Sequence, residues 1–131
     1  MVTDPVGDFI IRLKNASMLG REHVSVPHSK LKLSIAHKLE ERGYVKAIVK
    51  RGKKARKNLE IDLCYDASGK PLIQEVKRVS KPGRRVYTRV SHIRSVRGGK
   101  GILFLSTPMG ILTGEEARKA GVGGEALFKI W

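Results

Sequence analysis

Two short polar clusters near the end of this chain have the residue types that molecular recognition needs. Ser106-Thr107-Pro108-Met109-Gly110 places two hydroxyls and a glycine after an apolar run. Hydroxyls there can reach base edges and sugar hydroxyls, and the glycine lets a nucleic-acid backbone come close. The same five residues are ordinary turn formers between a strand and a helix; spacing alone favours that plain reading, and the basic surroundings bring the two level. The second cluster is Gly121-Val122-Gly123-Gly124-Glu125. Gly121 reads as a helix terminator, whereas Gly123 and Gly124 exceed what a terminator needs and point to a close backbone approach. The Glu125 carboxylate can accept from a base amino group or a ribose hydroxyl, and pairing with a neighbouring arginine is an equal alternative.

Charge decides what surrounds these clusters. From Val76 to Gly114 there is no Asp or Glu in 39 residues, against nine Lys and Arg. The whole chain has 27 basic and 12 acidic residues, a net charge of +15. Like charges repel in the compact state, and a polyanion that neutralises them is the natural reason to tolerate it. Within this stretch, Lys81-Pro82-Gly83-Arg84-Arg85-Val86-Tyr87 joins a tight turn to two arginines suited to phosphate and a tyrosine able to stack. A solvated hairpin is the plain alternative for any one of these charges. A second basic run, Lys50 to Lys57, has six positive residues in eight and reads as a charged hairpin loop.

Catalytic groupings do not assemble. His23, His28, His37 and His92 show no metal-ligand spacing with the single Cys64. Gly98-Gly99-Lys100-Gly101 lacks the upstream glycine and the hydroxyl of a phosphate loop. Zinc-finger spacing and heptads are absent, and seven aromatics (one Trp, three Tyr, three Phe) are too few and too scattered for a single-strand stacking platform. No cofactor or metal is implied. The lone thiol fits a reducing, cytoplasmic setting, and no apolar run suggests a signal peptide or membrane span. An anionic membrane is the lesser partner, because the densest charge falls in strand and loop segments.

The positioning elements read as helix, strand, helix, strand, strand, then a mostly β second half, which is an α+β fold of two small lobes sharing an interface. Thr3-Asp4-Pro5 starts a helix with Val6, Phe9, Ile10 and Leu13 on one face. Ser29 caps a second, stacked on Leu31, Ile35 and Leu39 and ended by Gly43. Leu59, Ile61 and Leu63 alternate as a strand. Strands are also expected over 72–79, 85–89, 102–105 and 125–131, with one helical turn over 91–96. Thr113 and Glu116 form a capping box for a short helix ending at Gly121. The turn Asp66 to Pro71 divides residues 1–68 from a β-rich 69–131.

The ordered segments together resemble bacterial ribosomal protein eight of the small subunit, the uS-eight family, over essentially the full length. The matching stretches include Arg12-Leu13-Lys14-Asn15, Pro27-His28-Ser29-Lys30-Leu31-Lys32, Arg78 to Tyr87, Ser106-Thr107, Gly110 to Thr113, Glu116 to Lys119 and Gly121 to Glu125. The resemblance implies a non-enzymatic RNA-binding protein of the small subunit. Its RNA target would be the central domain of 16S ribosomal RNA, bound early in assembly. Its protein neighbours would be ribosomal proteins five and twelve, and it would be monomeric when free. It further implies repression of a ribosomal-protein messenger in some bacteria. By matching position, the implied RNA contacts centre on Ser106, Thr107, Met109 and Gly110, with Gly123, Gly124, Glu125, Tyr87, Arg84 and Arg85. Arg12, Asn15, Ser29, Lys30, Lys32, Lys54 and Thr113 complete the candidates. Pro108 and Met109 replace a serine and lysine usual in the family, losing a hydroxyl and a charge. Gly114 replaces an acid, and the heavy loop at Lys50 to Lys57 is expected to compensate electrostatically. Charge alone also admits a nucleoid-type DNA binder, and an RNA-processing enzyme is a distant third.

Overall fold

The computed structural model describes residues 4–52 and 57–131. The expected α+β order holds: α1 (Pro5–Met18), β1 (His23–Pro27), α2 (Lys30–Glu41), β2 (Val45–Arg51), β3 (Asn58–Leu63), β4 (Val76–Arg78), β5 (Tyr87–Thr88), β6 (Ile102–Thr107), β7 (Gly110–Thr113), α3 (Gly114–Ala120) and β8 (Gly124–Ile130). Among the described residues, no helix is long and apolar enough to cross a membrane.

Contacts divide the chain into two compact units. One comprises Phe9–Gln74, and the other combines Glu75–Trp131 with the chain up to Asp8. By contacts the division falls after Gln74, six residues beyond the boundary expected at 68/69, and the first helical turn groups with the C-terminal half. The reason lies in the turn at Asp66, which folds back on its own unit. Leu72 N–H donates to the Cys64 carbonyl at 3.2 Å, Asp66 N–H donates to the Lys70 carbonyl at 2.9 Å, and Tyr65 and Pro71 bridge. Ile73 is buried, so this segment is not a linker.

In the Phe9–Gln74 unit, β1, β3 and β2 form an antiparallel sheet in that order, with α2 against β2. Alternation sends Leu59, Ile61 and Leu63 into the core and Glu60 and Asp62 to the other face. Phe9, Ile10, Leu13, Ile35 and Leu39, four or three apart on their helices, are also buried. Ser29 caps α2 as expected, its hydroxyl accepting from Lys32 N–H at 3.1 Å.

In the other unit, the sheet order is β4-β8-β6-β7, with β5 also paired to β8. Its core gathers Ile93, Val96, Leu103, Leu105, Ala117 and Ala126. Phe104 and Phe128 stack with ring centroids 4.8 Å apart. The strand expected over 72–79 shrinks to the three residues of β4, and that over 85–89 to the two of β5. β7 has no counterpart among the expected strands. At the start of α1, Asp4 itself takes the capping role, its carboxylate accepting from Gly7 N–H at 3.1 Å. Thr3, the hydroxyl expected to cap, lies outside the described residues.

Candidate nucleic-acid interface

The run Ser106 to Gly110 is the tip of a hairpin rather than a strand-to-helix turn. β6 and β7 pair from Phe104↔Thr113 to Thr107↔Gly110, so β7 separates the tip from α3. The Thr107 hydroxyl donates to the Gly110 carbonyl at 2.8 Å and accepts from Met109 N–H at 3.1 Å. Gly110 sits at φ +107°, a backbone state that side chains rarely adopt. Thr107 therefore orders the turn, and Met109 projects from it, 64% exposed.

Register sets the next neighbours. Tyr87 pairs with Glu125, Glu125 with Ser106, and Ser106 with Ile111. Directly paired residues share a face, so Tyr87, Glu125 and Ser106 form one row leading to the hairpin. Tyr87 is the most exposed of them at 72%. The register brings together these three positions, which are spread over 87–125 in the chain.

Glu125 is held inward. Its Oε2 accepts from the Ser80 hydroxyl at 2.5 Å and from Arg85 Nη1 at 2.9 Å. Ser80 is fully buried, and its hydroxyl also accepts from Val86 N–H at 3.1 Å. The carboxylate thus ties β8 to the basic turn, which is closed by paired backbone bonds between Lys81 and Arg84 at 3.0 and 2.9 Å. Of the two uses open to Glu125, the structure realises the arginine pair. Nothing local marks Ser80 as the partner of Glu125, because the two lie 45 residues apart in the chain. Arg84 remains exposed at the turn.

Gly123 and Gly124 sit where backbones approach closely. A Cβ on Gly124 would lie 2.2 Å from the Ser106 carbonyl oxygen, and one on Gly123 would lie 2.3 Å from that of Thr88. The close approach is to the chain's own strands β6 and β5. Thr113 is buried, and its hydroxyl accepts from Glu116 N–H at 3.3 Å in the capping box.

The remaining candidates lie in the Phe9–Gln74 unit. Arg12 and Asn15 are exposed on α1 and line an open cleft of about 490 Å³ with Arg21, His23 and Ser25. Lys30 is exposed, and Lys32 Nζ donates to the Pro27 carbonyl at 3.5 Å. Burial and then the charges of Lys50 and Lys57 push the His28 pKa below the ordinary histidine value. Lys54 and part of its basic loop lie outside the described residues.

Register also produces a grouping that sequence spacing hid. His23 faces Asp62 across β1 and β3, with Glu60 two residues away, and their ligand atoms lie within 4.8 Å of one another. Glu60 is already bound to Arg51 at 2.8 Å. The cluster is a solvated polar face of the sheet.

Two carboxylates stand in linked ion pairs. Arg78 holds Asp4 through Nε at 3.0 Å and Nη2 at 3.0 Å, and its Nη1 donates to the Leu127 carbonyl. Burial pushes the Asp4 carboxyl up, but the Arg78 and Gly7 hydrogen bonds and the charges of Arg78 and Arg85 outweigh it. Its pKa ends below the ordinary 3.8. Glu125 behaves likewise: burial raises it, and Ser80, Arg85 and the charge of Arg78 bring it below 4.5. Both groups have folded-state pKa values under their unfolded ones, so each contributes stability that is present above the ordinary carboxylate range. That stability is lost as pH falls through the lower folded values. An acid titration of folding free energy should stay level down to roughly pH 5 and then decline. Glu125→Gln should shallow the decline, and an equal slope in that variant would remove Glu125 from the account.

These features define a basic α+β protein whose polar groups converge on the hairpin end of one sheet. The family follows from comparison with known proteins. The model for Ribosomal protein S8 matches residues 4–131. The small ribosomal subunit protein uS8 of Dictyoglomus thermophilum is 47% identical over 130 residues, covering 99% of this chain and 98% of that protein. Those of Rubrobacter xylanophilus and Halothermothrix orenii are 45% and 43% identical with the same coverage. The chain belongs to the ribosomal protein S8 family, a structural and non-enzymatic component of the ribosome.

Proposed function

We propose that this chain binds 16S ribosomal RNA directly, in its central domain, and helps that domain assemble. As a family member it is a constituent of the small ribosomal subunit in the cytoplasm, associated with ribosomal RNA and other ribosomal proteins. The observation that carries the finer reading is the row Tyr87–Glu125–Ser106, which runs to an ordered hairpin tip at the end of a sheet whose strands β4 to β7 lie in the acid-free stretch. A rigid row of this kind suits a structured RNA better than a flexible basic tail does, because little ordering entropy is spent on binding. Ribosomal proteins five and twelve are the proposed protein neighbours, and the free chain is proposed to be monomeric. Repression of a ribosomal-protein messenger would follow if that messenger folds into the same RNA shape.

The test is binding to a central-domain ribosomal RNA fragment, with a scrambled stem and duplex DNA as competitors, across a salt series. Contacts to phosphate alone weaken on all three together as salt rises. A preference for the ribosomal fragment that survives high salt supports specific reading, whereas a common collapse leaves only a general nucleic-acid binder. Two variants divide the labour. Thr107→Ala frees the hairpin tip and should reduce the preference about tenfold, the worth of one specific hydrogen bond, with the salt slope intact. Arg84→Ala should weaken all competitors and lower the slope by about 1. Losses of one common pattern in both variants would refute this division.

A further inference from the structure

The register of β6 and β8 turns one more set of side chains toward a common point. Leu105 pairs with Ala126, but Phe104 pairs with Phe128, so Leu127 is an extra residue in β8. An inserted residue resets the alternation of a strand. Lys129, opposite Leu103, therefore lies on the same face as Ala126 and Leu105, which pack in the cluster with Ile93, Val96 and Ala117. Tyr87, Glu125 and Ser106 occupy the other face.

On the Leu105 face Lys129 lines a cleft of about 250 Å³ together with His92, Arg94, Ser95 and Thr88, over an apolar floor that includes Leu103 and Ala126. Among the described residues, no carboxylate lines it. Arg94 and His92 are exposed, and Lys129 is half-buried. Cationic side chains gathered at one place repel each other, and the apolar floor thins the water that would screen them. An anion relieves that repulsion. The volume is below the usual range for a drug-sized ligand, and the hydroxyls of Ser95 and Thr88 suit phosphate oxygens.

We propose that this cleft is a second RNA-backbone site, taking a phosphodiester group on the face of the sheet opposite the Tyr87 row. It rests on the RNA reading above and adds residues to it. β5 is what joins the two sites. Tyr87 and Thr88 are consecutive in a two-residue strand paired to β8, so one residue serves each face. RNA lying along that strand meets both.

The experiment uses the full chain, with Arg94→Gln and Lys129→Gln singly and together, in the salt series with the ribosomal RNA fragment. Removing one phosphate-binding cation lowers the log–log salt slope by about 0.7 to 0.9. The double variant should therefore fall by about 1.5 in slope and bind at least about tenfold more weakly at moderate salt, with its preference over the scrambled stem unchanged. Arg118→Gln with Lys119→Gln removes the same charge from α3 and serves as control. An equal slope change in the control would overturn the site, since net charge alone would then explain it. As a second readout, a hydroxyl-radical probe tethered at Ser95→Cys, in a Cys64→Ser background, should cleave the bound RNA. Silence from the probe with RNA bound, or an unchanged slope in the double variant, would overturn the proposal and pass the cleft to another anion, such as an acidic protein segment. Wild-type chain with no preference for the fragment would bring down the RNA reading itself, and this site with it, by an observation independent of the variants.

Discussion

Gly124→Ala is expected to destabilise the C-terminal unit by about 3 kcal/mol, the upper range for overpacking against atoms that cannot yield. The added Cβ would meet the Ser106 carbonyl oxygen at 2.2 Å and the Thr107 Cα at 3.1 Å, both backbone. Relief requires β8 to move away from β6, which breaks the Ser106↔Glu125 pairing and with it the row beside the hairpin. The control is Gly83→Ala, where a Cβ meets nothing within 4 Å and the backbone is not left-handed. That variant should be neutral or more stable by up to about 1 kcal/mol, through a less flexible unfolded chain. Urea unfolding of the two reads the contrast directly. Matching midpoints would mean that β6 and β8 do not approach as closely as described, and that Gly124 serves something other than the fold.

Removing Arg78 should have an effect of similar size for a different reason. Its side chain is 11% exposed and links Asp4 to the Leu127 carbonyl. Arg78→Ala leaves the Asp4 carboxylate and that carbonyl without their donor, and breaking one side of a buried pair costs about 3–5 kcal/mol. Because the Asp4 side chain is 29% exposed and keeps its bond from Gly7, the lower end of that range is expected. Asp4→Asn retains a cap acceptor for α1 and should cost less than Arg78→Ala. The double variant should cost less than the sum of the two, since both act through one pair. Additive losses would show that Arg78 stabilises the unit through Leu127 alone. Arg78 is one of the nine cations in the acid-free stretch, so its engagement also lowers the number available to RNA phosphates. Arg85, bound to Glu125, is engaged in the same way.

Much of the architecture was legible before the fold was known. Helix boundaries at Ser29, Thr113 and Gly121 depend on hydrogen bonds between residues three or four apart, so local chemistry is enough to find them. The alternation of Leu59, Ile61 and Leu63 marks a strand with one buried face without any knowledge of its partners. Strand limits were less legible. The 72–79 segment has apolar residues throughout, yet only Val76–Arg78 enters the sheet, because pairing with β8 rather than local composition sets its extent. β7 was hidden for a related reason. Ile111 and Leu112 follow a turn and precede a helix cap, and only pairing with β6 makes a strand of them.

The candidate site divides along the same line. By itself the sequence determined the charge, the family and the residue types that can meet RNA, since these are sums and local patterns along the chain. Tertiary structure decided what each of those residues does. Glu125 accepts from Ser80, 45 residues away, and is thereby committed to the fold. Gly123 and Gly124 make room for the chain's own backbone, and the extra Leu127 carries Lys129 across to the face of Arg94. Register couples residues far apart in sequence, and a single inserted residue reverses which face a side chain serves, so no local pattern could have reported these outcomes.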